Sequence, residues 1–288
     1  MSNASLNASK TKIDNDDYYT YYKDIENELN HYFDQLKGKV VYCNCDNPYK
    51  SQFVKYFTDN FERIGLKRLI ATSREKEHGL CLDMDSPQTI PGCFMSELKE
   101  DGSFQSQECL DLLKECDVVI TNPPFSLFRK WYSTVRGMGK DVLVIGNLNA
   151  ILYKEVIADT VSGKLRCGYT ARNGHSFWTD SGQIKKLGYS CWMTTLKVEE
   201  NPPLALCEGR EYRHYDTYPD AIEVSKLSHL PSDYHGLMGV PITFWIKYNR
   251  KQFRIVGKAD QNKGTDYNLF YPIIDGIKLY KRIVIEPI

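Results

Sequence analysis

The residues best suited to chemistry are Asn122-Pro123-Pro124-Phe125, which follow directly on the apolar run Asp117 to Thr121, "DVVIT". An exocyclic amine on a heterocycle is a poor nucleophile, because its lone pair is delocalised into the ring. Two hydrogen-bond acceptors beside such an NH2 hold the nitrogen towards a tetrahedral shape and free the lone pair. The side-chain carbonyl of Asn122 is one acceptor and the main-chain carbonyl of Pro123 the other. Pro123 and Pro124 have fixed φ and no N–H, so the turn is rigid. Phe125 offers a flat face on which a base can stack. The chemistry is positioning with electrostatic help and no classical general base. The same string also fits a buried strand that ends in a proline turn, with Asn122 capping the next helix.

A strand must deliver this corner and a helix must leave it. "KVVYC" (Lys39 to Cys43), "KRLIAT" (Lys67 to Thr72), "DVVIT" and "DVLVIG" (Asp141 to Gly146) read as buried strands. Between them, apolar residues recur at helical spacing: Ile25, Leu29, Tyr32, Phe33 and Leu36; Phe53, Phe57, Phe61 and Ile64; Leu127, Trp131 and Val135. Asn47-Pro48 reads as a cap and first helical residue, Ser106 as the cap of a helix through Glu115, and Gly38 and Gly65 as helix stops. A further helix is expected near Ala150 to Val161, and residues 73–105 read as irregular. "LRCGY" and "YSCWMTTL" read as two more strands. The alternation implies an α/β fold with a mainly parallel sheet covered on both faces. Ligands bind at the carboxyl ends of such strands, and Asn122 stands at one. After Lys197 prolines multiply and helical periodicity fades. There "VPITFWIKY" and "KQFRIVG" are the strongest strands. The expected division is a flexible leader over 1–15, a catalytic region over 16–197 and a second region over 198–288.

Composition fits a globular chain: 288 residues, 42% hydrophobic and 26% charged. No apolar run approaches a membrane span, and the polar N-terminus lacks the apolar segment of a signal peptide. Nine cysteines, an odd count, read as reduced thiols of a cytoplasmic protein. Cys43 and Cys45 are the only tight pair and have no partners at metal spacing, so no metal is expected. Net charge is zero but unevenly spread. Residues 1–120 carry 14 Lys+Arg against 21 Asp+Glu, and residues 121–288 carry 23 against 16. The basic second part points to an anionic partner.

With these stretches in view, the chain resembles the EcoRI-type adenine-N6 DNA methyltransferase family. The resemblance runs through "DDYYTYYKDIENEL", "GKVVYCNCDNPYKSQFVKYF", "DGSF", "ECDVVITNPPFSLF" and "DAIEVSKLSHLPSDYHGLMGVPITF", in the same order over most of residues 16–288. It implies a Rossmann-like methyltransferase sheet, a C-terminal target-recognition region, a γ-like motif order and S-adenosylmethionine as cofactor. Asn122, Pro123, Pro124 and Phe125 become the catalytic corner. Cys43, Asn44, Cys45, Asp46, Asn47 and Pro48 would face the methionine part of the cofactor, with a helix N-terminus for its carboxylate. Tyr18, Tyr19 and Thr20 match the N-terminal motif that closes over it. The chain departs from general methyltransferase patterns in three places. Asn44 and Asp46 stand where glycines are common. No acid ends "LIATSRE", so Ser73 or Glu75 is the candidate ribose partner. The family's Asp-Gly-Asp-Phe reads Asp101-Gly102-Ser103-Phe104, with Ser103 and Phe104 kept as cofactor residues. On the bland side, Cys43 and Cys45 fit strand-end packing and Asp46 fits a turn.

The implied partner is double-stranded DNA, whose target base must leave the stack. Arg129, Arg166, Arg172, Lys185 and Lys186 are candidates for one side of the pocket, and Arg210, Arg213, Lys247, Arg250, Lys251 and Arg254 for the second region. Each also fits solvated surface. Phe177-Trp178 fits packing against the base or, better, the core. Rival readings are an RNA or protein N-methyltransferase with the same corner, and a DNA-binding relative without catalysis. A monomer is expected, and a cognate endonuclease need not form a complex with it.

Overall fold

The computed structural model describes residues 18–85, 95–170, 175–179, 184–261 and 266–288. The expected leader and Arg172 lie outside them. The described chain opens with β1 (Tyr18–Thr20), α1 (Tyr22–Leu29) and α2 (Phe33–Leu36). β2 (Val40–Cys43), α3 (Gln52–Asp59), α4 (Phe61–Ile64) and β3 (Arg68–Ser73) follow. Next come β4 (Leu80–Met84), β5 (Met95–Glu97), α5 (Gln107–Glu115), β6 (Val118–Thr121), α6 (Phe128–Gly137) and β7 (Asp141–Asn147). α7 (Ile157–Val161), β8 (Arg166–Cys167), β9 (His175–Thr179), β10 (Ile184–Leu187) and β11 (Ser190–Thr194) complete the first part.

An eight-stranded sheet runs β5-β4-β3-β2-β6-β7-β11-β8. Its centre, β3-β2-β6-β7, is parallel. β4, β5, β11 and β8 are antiparallel additions at the two edges. Side chains alternate across each central strand. Val41, Cys43, Val118, Ile120, Leu143 and Ile145 pack on one face with Ile25, Leu29, Phe53 and Phe57 of α1 and α3. Val40, Tyr42, Val119, Val142 and Val144 pack on the other with Leu113 of α5 and Phe128, Trp131 and Tyr132 of α6. Both faces are covered, which is why the strands read as unbroken apolar runs. The architecture is the Rossmann-like α/β fold expected of the sequence.

β12 (His214–Tyr215), β13 (Tyr218–Glu223), β14 (Leu237–Pro241), β15 (Phe253–Ala259), β16 (Asn268–Phe270) and β19 (Arg282–Pro287) build a second, six-stranded sheet. Between β16 and β19, β17 (Ile273–Ile274) and β18 (Ile277–Lys278) form a separate hairpin. Met238, Val240, Ile283 and Ile285 of the second sheet share one continuous apolar core with α5, α6 and the first sheet. A smaller core of Tyr215, Ala221, Ala259, Phe270, Ile274 and Val284 lies apart from it.

Several local expectations change. The helix expected over Tyr21 to Leu36 breaks at Asn30–Tyr32, where poor helix formers meet and Tyr32 turns its hydroxyl to the buried Glu28 carboxylate (2.8 Å). Asn47-Pro48 does not start a helix. The Asn47 side chain accepts from Tyr49 N in a local turn (2.9 Å), and Ser51 caps α3 through Phe53 N (3.1 Å). The stretch 73–105 contains β4 and β5. β4 hides its alternation because Asp83 sits in it, paired with Arg68. The helix near Ala150 to Val161 is a 3-10 turn over Leu148–Leu152 followed by α7. In "VPITFWIKY" the strand stops at Pro241, which has no N–H to continue a ladder, and Ile242–Lys247 is a 3-10 helix.

Candidate active site

The chain passes from β2 outward to β3 and returns to the other side of β2 at β6. This reversal opens a crevice beyond the carboxyl ends of β2 and β6. The loop Asn44–Ser51 leaves one of these ends and Asn122–Phe125 leaves the other. The side-chain oxygen of Asn122 is buried. The turn is closed by Leu127 N donating to Pro124 O (3.0 Å), and a single 3-10 turn, Phe125–Leu127, leads into α6. Leu127, expected on the buried stripe, is instead 42% exposed, because α6 begins only at Phe128.

Two side-chain bonds fix the crevice walls to each other. Asp46, 6% exposed, accepts from Ser51 Oγ (2.6 Å) and from Thr121 Oγ1 (2.5 Å). Burial raises its carboxyl from the ordinary value to about 6, against the lowering effect of those two donors. Trp131 of α6, fully buried, donates its indole N–H to Asn44 Oδ1 (2.9 Å). Thr121, Ser51 and Trp131 escaped the sequence reading. Thr121 carried a signal, since a hydroxyl at the end of a fully apolar strand needs a buried partner. Trp131 carried none, since it also fits the apolar stripe.

The remaining loops gather around the same ends. Glu75, just past β3, accepts at Oε1 from Asn47 Nδ2 (2.9 Å) and Ser73 Oγ (3.1 Å). Ser73 is thus turned to Glu75, so the two candidates for the ribose partner are hydrogen-bonded to each other just past β3. Ser103 N donates to Asp101 Oδ1 (2.9 Å), and Phe104 is buried in the core. The Asp101–Phe104 loop lies against the end of β3. Gly102 has φ +73°, and a Cβ there would come within 2.2 Å of Ser73 O.

Some expected cofactor side chains point elsewhere. Cys43 is fully buried on the α1/α3 face, and burial raises its thiol well above its usual range. Its side chain belongs to the core and not to the crevice. Cys45 packs partly buried against the opposite core. The Asn44 side-chain oxygen serves Trp131. Pro48 is half-buried in the turn.

β1 reaches the corner through β9. Tyr19 pairs with Trp178 and Thr20 with Phe177, and β10 pairs on the far side of β9. Tyr18 stands first in β1, opposite Thr179. Phe177 is fully buried and meets Phe125 edge-on, with centroids 6.1 Å apart and planes at 90°. It therefore packs in the core and braces the aromatic face of the corner. Thr20, 3% exposed, has a buried hydroxyl with no hydrogen-bond partner among the described residues.

Of the basic candidates, Arg129 is exposed, with its guanidinium over the Tyr153 ring at 4.3 Å. Lys185 and Lys186 lie in β10. Lys251 is exposed. Arg250 pairs with Glu200, as does Arg166, which is 8% exposed. Glu200 therefore joins β8 to the second sheet, and Arg166 is withdrawn from any open surface. Arg254 pairs with Glu286 on its neighbouring strand. A cavity of about 180 Å³ lies at this Arg166–Glu200 seam, away from Asn122.

Comparison with known proteins identifies the family of the chain. A family model described as adenine-specific methyltransferase EcoRI matches residues 5–271. The Type II methyltransferase M.EcoRI of Escherichia coli is 37% identical over 97% of this chain and 94% of its own length. The Type II methyltransferase M.MpnI of Mycoplasma pneumoniae is 34% identical over 85% of this chain and 83% of its own. No solved structure matches the chain. A crevice at the switch point, walled by Asn122-Pro123-Pro124-Phe125 and by the loop after β2, is thus found in a chain that belongs to the EcoRI family of adenine-specific methyltransferases.

Proposed function

We propose that the protein methylates N6 of an adenine flipped out of duplex DNA at a specific sequence, with S-adenosylmethionine as donor, as the modification half of a restriction–modification pair. The observation that carries this reading is the Asn122 corner at the switch point, fastened to the β2 loop through Thr121–Asp46 and Trp131–Asn44.

Asn122 Oδ1 and the Pro123 carbonyl accept from the two N–H bonds of the target amine, drawing its lone pair out of the ring. Phe125, braced by Phe177, stacks on the base. The prolines keep both acceptors fixed, so no reorganisation is needed at the moment of transfer. The amine would become cationic as its bond to the methyl carbon forms and the donor's methyl–sulfur bond breaks, its electron pair staying on sulfur, and would then shed a proton to water.

The residues present fit S-adenosylmethionine. When bound, it supplies an electrophilic methyl group. The buried Thr20 hydroxyl is a donor awaiting an acceptor of the cofactor's kind. Glu75, oriented by Asn47 and Ser73, suits the ribose hydroxyls. The Asp101–Phe104 loop, including Ser103, suits the adenine. Asp46 and Asn44 act as supports of the crevice.

On this reading residues 16–197 form the catalytic region, and 198–288 recognise the target. Arg129, Arg172, Lys185, Lys186 and Lys251 serve the phosphate backbone, while Arg250 is already engaged by Glu200. The enzyme works as a monomer in the cytoplasm, without a stable complex with its endonuclease. Among the described residues, no helix is long and apolar enough to cross a membrane.

Incubation with tritiated S-adenosylmethionine and duplex DNA, RNA or cell protein tests the reading. Label is expected in DNA of varied sequence, and not with Asn122→Ala. Label confined to RNA or protein contradicts it.

A further inference from the structure

Three basic side chains from three separate segments gather around Leu152, Tyr153 and Asp260. Arg129 stands four positions after Phe125, in the first turn of α6. Its guanidinium lies over Tyr153 (4.3 Å), and such a stack leaves the N–H edge pointing outward in the ring plane. Lys258 of β15, buried, donates Nζ to the carbonyl of Leu152, the residue before Tyr153 (3.0 Å). Lys281 approaches from the chain between β18 and β19, with Nζ 3.3 Å from Asp260 Oδ2. The same oxygen is 3.5 Å from Lys258 Nζ.

Asp260 is thus shared by two lysines, with Arg129 close by as a third cation. The charge excess is felt within the cluster. Burial first, and then the charges of Lys281 and Arg129, hold the Lys258 ammonium below its ordinary range, with Asp260 opposing them. Asp260 offsets only part of three gathered cations, and a further anion would offset the rest. The place is fastened to the catalytic edge, too. Tyr280, next to Lys281, donates to Asn149 Oδ1 (2.7 Å), and Asn149 N is held by Asn147 at the end of β7 (2.9 Å). β7 is the parallel neighbour of β6, so the cluster sits at the same carboxyl edge as Asn122.

We propose that Arg129, Lys258 and Lys281 form one phosphate clamp, which grips the backbone of the target strand next to the flipped nucleotide. The clamp rests on the reading of the protein as a DNA methyltransferase. It spans both sheets: Arg129 belongs to the catalytic segment, Lys258 and Lys281 to the C-terminal region. Gripping the strand therefore also fixes the C-terminal region over the corner. Lys258 holds the position, and Arg129 and Lys281, the more accessible two, take the places that counterions vacate on the phosphates.

The test is duplex-DNA affinity at several salt concentrations for wild type, Arg129→Gln, Lys281→Gln and the double variant. Removing one phosphate-binding cation should reduce the slope of log K against log salt by about one. Each single variant is expected to bind about tenfold more weakly, equally for methylated and unrelated sequences, and the double variant to show a slope shallower by about two. Thermal midpoint and S-adenosylmethionine affinity should stay at wild-type values. Lys258→Met would also remove the Leu152 link, so the two accessible positions carry the test. An unchanged slope in the double variant overturns the clamp, and a lowered midpoint with unchanged slope assigns these residues to a tether between the sheets. Wild type that binds no duplex DNA overturns the DNA reading together with the clamp.

Discussion

The hydroxyl of Thr121 donates to the buried carboxylate of Asp46 across the gap between β6 and β2. Thr121 is the residue before Asn122, and Asp46 lies in the loop after the first parallel strand. The Asn122 corner and the loop after β2 are therefore a single hydrogen-bonded unit, extended by Ser51 on one side and by Trp131–Asn44 on the other.

Asp46 should leave a mark on stability as a function of pH. Its folded-state pKa of about 6 lies above the ordinary 3.8. Between these values the folded protein holds a proton that the unfolded chain has released, so stability falls as pH rises through the window. Two units correspond to about 3 kcal/mol at most. Asp46→Asn should remove this slope. Urea unfolding of both proteins from pH 4 to 7 checks it, and parallel profiles would rule out the titration.

Trp131→Phe keeps the ring in the core but takes away the donor to Asn44 Oδ1. A buried carbonyl left alone costs about 1–3 kcal/mol. The loss should appear in the thermal midpoint and as a weaker S-adenosylmethionine affinity by calorimetry, because Asn44 begins the loop that we propose faces the cofactor. An unchanged cofactor affinity would confine Trp131 to packing.

Thr20→Val separates folding from binding. The hydroxyl is buried with no protein partner among the described residues, so an isosteric methyl should leave the cofactor-free protein as stable or slightly more so. Affinity for S-adenosylmethionine should fall about tenfold, the worth of one buried hydrogen bond. Equal affinity would remove β1 from the cofactor site.

Gly102→Ala places a methyl 2.2 Å from Ser73 O at a positive φ. The loop must move away from β3, and cofactor binding should be lost while far-UV circular dichroism stays close to wild type. Binding at wild-type affinity would show that the Asp101–Phe104 loop is not part of the site.

The parts of this arrangement legible in the sequence are those governed by local periodicity. β2, β3, β6 and β7 announced themselves because they are buried on both faces, and Asn122-Pro123-Pro124-Phe125 because a double proline after such a strand is specific. The ties between loops were hidden. Asp46 reads as a cofactor-facing or a turn residue, and its bond to Thr121, 75 positions away, shows only in the fold. The α3 cap moved from Asn47 to Ser51 because Asn47 closes a turn of its own and then binds Glu75. Ser73 and Glu75 were both legible as candidates after β3, but the hydrogen bond between them and the one from Asn47 depend on the fold. Cys43 looked like a crevice residue, yet strand alternation sends its side chain into the core.

The most direct measurement is nucleoside mass spectrometry of DNA from cells expressing either the wild-type chain or Asn122→Ala. N6-methyladenine should accumulate with the wild type and fall by at least about 10²-fold in the variant, the usual loss when one preorganised electrostatic partner is removed. Methylation on cytosine N4, or adenine methylation undiminished in Asn122→Ala, would contradict an adenine-specific site built on this corner.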